Sequence, residues 1–348
     1  RAIDAKLPGI GIQIGLDNTQ KVIVIAPIHG TPAFKAGLMP KDEIVEVDGT
    51  PTKGLSIEEV ANKIRGTPGT AVKLLISRDS KEQTFEITRA EIHLESVPKG
   101  QATKINDKVC YIRLTSFIAK DAAKEFTDEL NGLGNCPGLI MDLRSNPGGL
   151  LDNAISLANV FLDNGMDIVS TVDRDGYVLT KSTDKDRLFR YKGNLLILVN
   201  EGSASASEIL SGALKDHGVA RLVGDKTFGK GLVQLVRDLP DGSGLNITMA
   251  KYLTPNGTDI NKIGIEPNIK VELTKDELKE KQGPWFNDFD NIAEPEKVIK
   301  NSKDLQLLKA IEVLNDELAK AAAKPKEDSL KKKTVSSNKE KVKQETKS

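Results

Sequence analysis

The chain has 348 residues, enough for two or three domains and a large core. Its 50 Lys and Arg balance 50 Asp and Glu, so no net field recommends nucleic acid or an anionic membrane as a partner. No apolar run approaches the ~20 residues that span a bilayer, no Cys/His grouping has metal-ligand spacing, and no cofactor is expected. The chain opens at Arg1 rather than Met, so it reads as a mature product or fragment, and the missing leader does not argue for the cytosol.

Residues 1–8 read as a truncated lead-in, and residues 9–93 as a small β-rich unit. Strands are expected at Gly11 to Gly15, Lys21 to Ile25 and Ile44 to Val47, around the turn-rich stretch Pro27 to Pro40. Ser56 opens a helix to Arg65, with Glu59 completing a capping box. Val72 to Arg78 and Gln83 to Thr88 alternate as paired strands about Asp79-Ser80. Gly9-Ile-Gly-Ile12, Pro32-Ala-Phe-Lys-Ala-Gly-Leu38 and Asp42-Glu-Ile-Val-Glu-Val-Asp-Gly49 together resemble a PDZ domain. The resemblance implies a peptide-binding site at Gly9, Ile10, Gly11 and Ile12. There the N–H groups of Gly11 and Ile12 would hold a peptide carboxylate while the following strand pairs with the peptide backbone.

Residues 94–272 alternate strands and helices, as an α/β layer should. Asp121 to Leu133 is an amphipathic helix with Ala122, Phe126, Leu130 and Leu133 on one stripe. Gly138 to Gly149 reads as a buried strand ending in a glycine turn, with a helix from Leu151 to Leu162. Ala220 to Val223, Leu232 to Val236 and Leu245 to Leu253 read as strands, with a turn at Asp241-Gly-Ser-Gly244. Cys110 and Cys136 suit a bridge or two buried thiols about equally; free thiols are favoured because a core this large needs no staple. Residues 273–323 form a C-terminal extension whose helix, Asp304 to Ala319, carries Leu305, Leu308, Ile311, Leu314 and Leu318 at helical spacing. Residues 324–348 hold nine lysines and four acids and should be disordered.

The chemistry concentrates in two of these segments. The apolar run Leu195 to Val199 enters Gly202-Ser-Ala-Ser-Ala-Ser-Glu208, and a helical pattern with Ile209, Leu210, Ala213 and Leu214 leaves it. A small side chain at a strand-to-helix turn is exposed beside unpaired N–H groups and the positive end of the helix, which suits a serine nucleophile. Lys230, in Phe228-Gly-Lys-Gly231, lies 25 residues on, with little side-chain bulk beside it. Taken singly, serine-rich turns are usually caps and Gly-Lys-Gly triplets usually exposed loops. The upstream segment Gly138-Leu-Ile-Met-Asp-Leu-Arg-Ser-Asn-Pro-Gly-Gly149 changes that reading. Two strands that both end in tight turns can meet at one sheet edge, and Gly148 or Gly149 could then aim an N–H beside Ser205.

Together with Ala250 to Ile269, these motifs resemble the carboxyl-terminal processing proteases, also called tail-specific proteases, over roughly residues 9 to 320. The resemblance implies an α/β (α+β) chain: a PDZ-like domain, then a Ser/Lys peptidase domain resembling the tail-specific protease or crotonase-like core. It implies a serine endopeptidase that recognises the C-terminal tail of protein or peptide substrates and cleaves near it. Ser205 would be the nucleophile, neutral Lys230 the general base and Gln234 the residue that orients the lysine. Ala206 with Gly148 or Gly149 would form the oxyanion hole. Burial must lower the pKa of Lys230, so the site should be dry. Gln234 conflicts with the expected strand, because four extended residues separate it from Lys230 by about 13 Å; the motif is preferred, with the backbone coiling at Gly229 and Gly231.

The sequence is most similar to the cyanobacterial and plastid branch of that family. This implies an extracytoplasmic enzyme of the periplasm or thylakoid lumen, with a photosystem II reaction-centre precursor as one substrate. A different class of function, a PDZ scaffold with an inactive peptidase domain, is opposed by retention of Ser205, Lys230, Gln234 and both glycines. A Ser-His-Asp triad would need His29, His93 or His217; the first two belong to the PDZ-like unit or its edge. His217 ends the helix after Ser205, about 18 Å away, and suits a charge or cap at the helix end. The acids Asp142 and Glu208 invite a glycosidase reading, but acids on strand ends and first helical turns are usually structural. Arg65, at the end of the helix beside the peptide groove, is a candidate switch between the two domains. Oligomeric state is open, a homo-oligomer included.

Overall fold

Six consecutive buried positions, Val22 to Pro27, mark the centre of the first unit. The computed structural model describes residues 6–17, 19–28, 30–93, 95–98, 100–184, 190–238, 244–274 and 304–323. In chain order the first unit contains β1 (Lys6–Gly9), β2 (Ile12–Leu16), β3 (Val22–Pro27), α1 (Pro32–Ala36), β4 (Glu43–Val47) and β5 (Thr50–Pro51). It continues with α2 (Ile57–Ile64), β6 (Ala71–Arg78), β7 (Lys81–Thr88) and β8 (Ala90–His93). Strands β2-β3-β4-β6-β7 form an antiparallel sheet, with β5 paired to β4. Its core joins Ile10, Val24, Leu38 and Ile44 to Val60 and Ile64 of α2. The Ser56 cap is reciprocal: Ser56 Oγ accepts the Glu59 N–H at 3.2 Å, and Glu59 accepts the Ser56 N–H at 2.7 Å. Residues 6–8, expected as lead-in, pair with β8.

The second unit runs through β9 (Ala102–Lys104), β10 (Val109–Arg113), α3 (Ala122–Leu133), β11 (Gly138–Asp142), α4 (Leu151–Phe161), β12 (Asp167–Asp173) and β13 (Val178–Ser182). It then has β14 (Asn194–Val199), α5 (Ala206–Asp216), β15 (Ala220–Gly224), β16 (Leu232–Asp238), β17 (Gly244–Leu253) and β18 (Ile269–Lys270), followed by α6 (Leu305–Ala323). The main sheet has the order β18-β15-β14-β11-β10-β9, parallel except for β9. Both faces are buried, as parallel sheets require. Cys110, Ile112, Leu139, Met141 and Ile197 pack with α3, α4 and α5. The alternate positions Tyr111, Ile140, Leu196 and Leu198 meet Leu307, Ala310 and Leu314 of α6.

A second sheet, β13-β12-β17-β16, is antiparallel. The β12–β13 hairpin has no counterpart in the sequence reading, because β13 is exposed at every position and carries no buried stripe. The expectation of free thiols is corrected: Cys110 and Cys136 form a disulfide, with Cα atoms 5.7 Å apart. Val109 stands opposite Gly138 in the parallel β10–β11 pair, so the chain entering β11 brings Cys136 to Cys110. Parts of the expected extension (275–303) and turn (241–243), and the tail 324–348, lie outside the described residues.

Candidate active site

Strands β11 and β14 are parallel neighbours, so the loops at their C-terminal ends share one sheet edge. Those loops are stitched together. Asn200 Oδ1 accepts the Ser145 N–H at 2.7 Å and the Gly202 N–H at 3.0 Å. Ser203 Oγ donates to Leu143 O at 2.7 Å, while Ala204 N–H and Ser207 Oγ both donate to Asn146 O at 3.0 Å. Gly148 then packs so closely that a Cβ there would lie 2.8 Å from Ser205 Cβ and from Ala206 N. Only glycine fits.

Ser205 is the residue before α5, with φ 55° and ψ −114°. A non-glycine residue held there is strained by roughly 1–3 kcal/mol, which the bonded loops must sustain. Glu208, one turn on, gathers the surroundings. Its Oε2 accepts the N–H groups of Ser205 (2.9 Å) and Lys230 (2.8 Å). Its Oε1 accepts the Gly229 N–H (2.7 Å) and the Thr227 hydroxyl (2.6 Å). Burial pushes the carboxyl pKa up, against these four bonds that favour its ionised form. Burial likewise pulls Lys230 below the ordinary lysine value, with the Glu208 charge opposing.

Among the described residues, no hydrogen bond joins Ser205 Oγ to Lys230 Nζ. The amine instead meets Gln13 of β2. With Gln13 Nε2 toward Pro147 O (3.0 Å) and Oε1 toward Lys230 Nζ (3.1 Å), both partners are satisfied; the reverse orientation would oppose like groups. The sequence reading missed Gln13. Its signal was a polar residue between Ile12 and Ile14, whose side chains pack on the first unit's core, which turns position 13 outward.

Two further expectations need correction. Gly148 N–H donates to Asn146 Oδ1 at 2.9 Å, so it is not available to an oxyanion. Among the described residues, the N–H groups of Gly149 and Ala206 have no protein acceptor. Among the described residues no hydrogen bond joins Gln234 to Lys230: Gln234 is exposed in β16, opposite Thr248, just after a register shift at Val233.

Gly9, Ile10, Gly11 and Ile12 line a cavity of about 220 Å³, walled by Ala61, Ile64 and Arg65 of the α2 region and by Ile118 of the second unit. Arg65 is exposed and donates to Asn62 of its own helix at 2.6 Å. Ile118 adjoins the glycine loop, since Phe117 N–H donates to Gly148 O (3.0 Å) and Leu150 N–H to Phe117 O (2.9 Å).

Asp142 and Glu208 are not a catalytic pair. Burial raises the Asp142 pKa, but the Arg144 and Arg113 guanidiniums outweigh it and hold the carboxyl at about 2. Arg144 in turn reaches Asp304 ahead of α6 at 2.8 Å. His217 caps the C-terminus of α5, with Nε2 2.7 Å from Asp167 O. His29 lies outside the described residues.

The sequence matches the model of peptidase family S41 over residues 108–271 and that of the PDZ domain over residues 8–88. It is 43% identical over 271 residues to the carboxyl-terminal-processing protease of a Picosynechococcus species, covering 76% of this chain and 64% of that one. A probable CtpA-like serine protease of Staphylococcus aureus is 40% identical over 273 residues, covering 77% of this chain and 53% of its own length. The chain thus spans between about half and two thirds of these relatives. The solved photosystem II D1 C-terminal processing protease is 35% identical, with a TM-score of 0.68, covering 78% of this chain and 74% of that one. With a PDZ domain ahead of the layer that joins β11 and β14, the chain belongs to peptidase family S41, in the PDZ-containing group of carboxyl-terminal processing proteases.

Proposed function

We propose that the chain is a serine endopeptidase that takes the C-terminal tail of a protein substrate on its PDZ domain and cleaves near that tail. The observation that carries the proposal is Ser205, held in a left-handed backbone at the head of α5 and tied through Glu208 to the loop of a half-buried Lys230. Lys230, neutral at the moment of attack, takes the proton of Ser205 as Oγ adds to the scissile carbonyl. The N–H groups of Gly149 and Ala206 receive the oxyanion. Lys230 returns the proton to the leaving amine; water, deprotonated by the same lysine, then releases the acyl group. For the attack, the amine must come within hydrogen-bond reach of Oγ, so the arrangement described is a resting one.

Recognition rests on the apolar groove beside Gly11 and Ile12, which suits an apolar terminal residue with a free carboxylate. Among the described residues, no helix is long and apolar enough to cross a membrane. The Cys110–Cys136 bridge suits an oxidising compartment, in keeping with the periplasm or thylakoid lumen, where a photosystem II reaction-centre precursor is one substrate of this class. The missing Ser205–Lys230 bond is the one observation on the side of a binding protein with a silent peptidase layer. Hydrolysis of a peptide with a free apolar C-terminus, lost in Ser205→Ala, supports the peptidase; tail binding with no hydrolysis in the parent chain supports the silent binder.

A further inference from the structure

Gln13 lies on β2, the strand that carries the carboxylate loop and walls the tail groove. Ile12 and Ile14 face the first unit's core, so strand alternation sends Gln13 to the opposite face, toward the second unit. There its carboxamide spans two loops, donating to Pro147 O beside Gly148 and accepting from Lys230 Nζ. A carboxamide offers a donor and an acceptor in one rigid plane, so a single side chain fixes the spacing between the glycine loop and the lysine. The carboxamide at position 234, exposed in β16, makes no hydrogen bond to Lys230 in this arrangement.

We propose that Gln13 positions Lys230 in this resting arrangement, so that the strand receiving the substrate tail also holds the amine of the peptidase layer. Its bearing on a general base rests on the reading of Lys230 given above; the contact itself does not.

The electrostatic consequence has a definite sign. The charged group facing Lys230 is Glu208 on the first turn of α5, which favours the ammonium; burial disfavours it. Gln13, approaching from β2, adds a neutral acceptor, which also favours the ammonium. Replacing that acceptor by a carboxylate strengthens the effect, and removing it abolishes the contribution.

The test is to titrate Lys230 directly, by NMR of chains labelled with ¹³C at lysine Cε, taking the signal absent from Lys230→Arg. Gln13→Glu is expected to raise the midpoint by at least about one unit, a tenfold change in the ratio of charged to neutral amine. Gln13→Ala, which removes side-chain atoms without adding charge, is expected to lower it. Circular dichroism of both variants controls for the fold. A Lys230 midpoint unmoved by Gln13→Glu overturns the proposal. In the kinetic arm, the acid limb of kcat/KM should move with the midpoint. A midpoint that moves while the limb stays keeps Gln13 at the amine and removes the base assignment. An unmoved midpoint, with turnover still dependent on Lys230, does the reverse.

Discussion

Glu208 stands three residues after Ser205, yet the oxygen that accepts the Ser205 N–H also accepts the backbone N–H of Lys230, at 2.8 Å. One buried carboxylate therefore sets the distance between the chain segments that carry the two reactive groups. Glu208→Ala would leave the N–H groups of Ser205, Gly229 and Lys230 without their acceptor in a partly buried site. We expect a loss of about 3 kcal/mol in urea unfolding and at least a tenfold fall in kcat/KM. Glu208→Gln, which keeps two lone pairs on one oxygen, should fall between. Wild-type turnover in the alanine variant would show that the carboxylate does not hold the loops.

Tail recognition separates from chemistry. Gly11 has φ 77°, and a Cβ there would sit 2.3 Å from the Thr31 side chain. Gly11→Ala should distort the carboxylate loop, raising KM for a tail peptide by on the order of tenfold or more while Ser205 reacts normally with a small acylating inhibitor. Amidating the peptide should weaken cleavage by the parent chain in the same way. Equal cleavage of free-acid and amidated peptides would show that the groove does not read chain ends.

The Cys110–Cys136 bridge closes a loop of 26 residues. The chain-entropy estimate for such a loop is about 3 kcal/mol. Replacing both cysteines by serine should lower the thermal midpoint by several degrees. An unchanged midpoint would mean that the loop is equally ordered without it.

Asp142 carries a pH signature. Its folded pKa, about 2, lies below the ordinary 3.8, so it binds fewer protons folded than unfolded in this range. Its contribution, on the order of 2 kcal/mol, is complete above pH 4 and is lost as pH falls through 2. Denaturant unfolding between pH 5 and 2 should show this slope, reduced in Asp142→Asn. The variant should also be weaker at neutral pH, because Arg144 and Arg113 lose a buried counter-charge.

What the sequence made legible was local. The Ser56–Glu59 box, the strand runs into Gly148 and Ser205, and the α6 stripe each declare themselves within a few residues. What it hid depends on contacts between distant segments. Gln13 reveals its partner only once the two units are assembled, and Cys136 finds Cys110 only through the β10–β11 register. The occupied Gly148 N–H likewise follows from the Asn146 rotamer rather than from any spacing. Gln234, exposed in β16 opposite Thr248, makes no hydrogen bond to Lys230 among the described residues, in line with the strand spacing.

The central claim is that half-buried Lys230, neutral at the moment of attack, is the base for Ser205. It is tested most directly by the pH dependence of kcat/KM for a tail peptide in the parent chain, Lys230→Ala and Lys230→Arg. Because burial lowers the lysine pKa, the parent rate should rise with pH through a midpoint below that of ordinary lysine. Both variants should fall to the level of Ser205→Ala at every pH, since guanidinium does not give up its proton and alanine has none to take. Substantial turnover in Lys230→Arg, or a parent rate without that rising limb, would contradict the account.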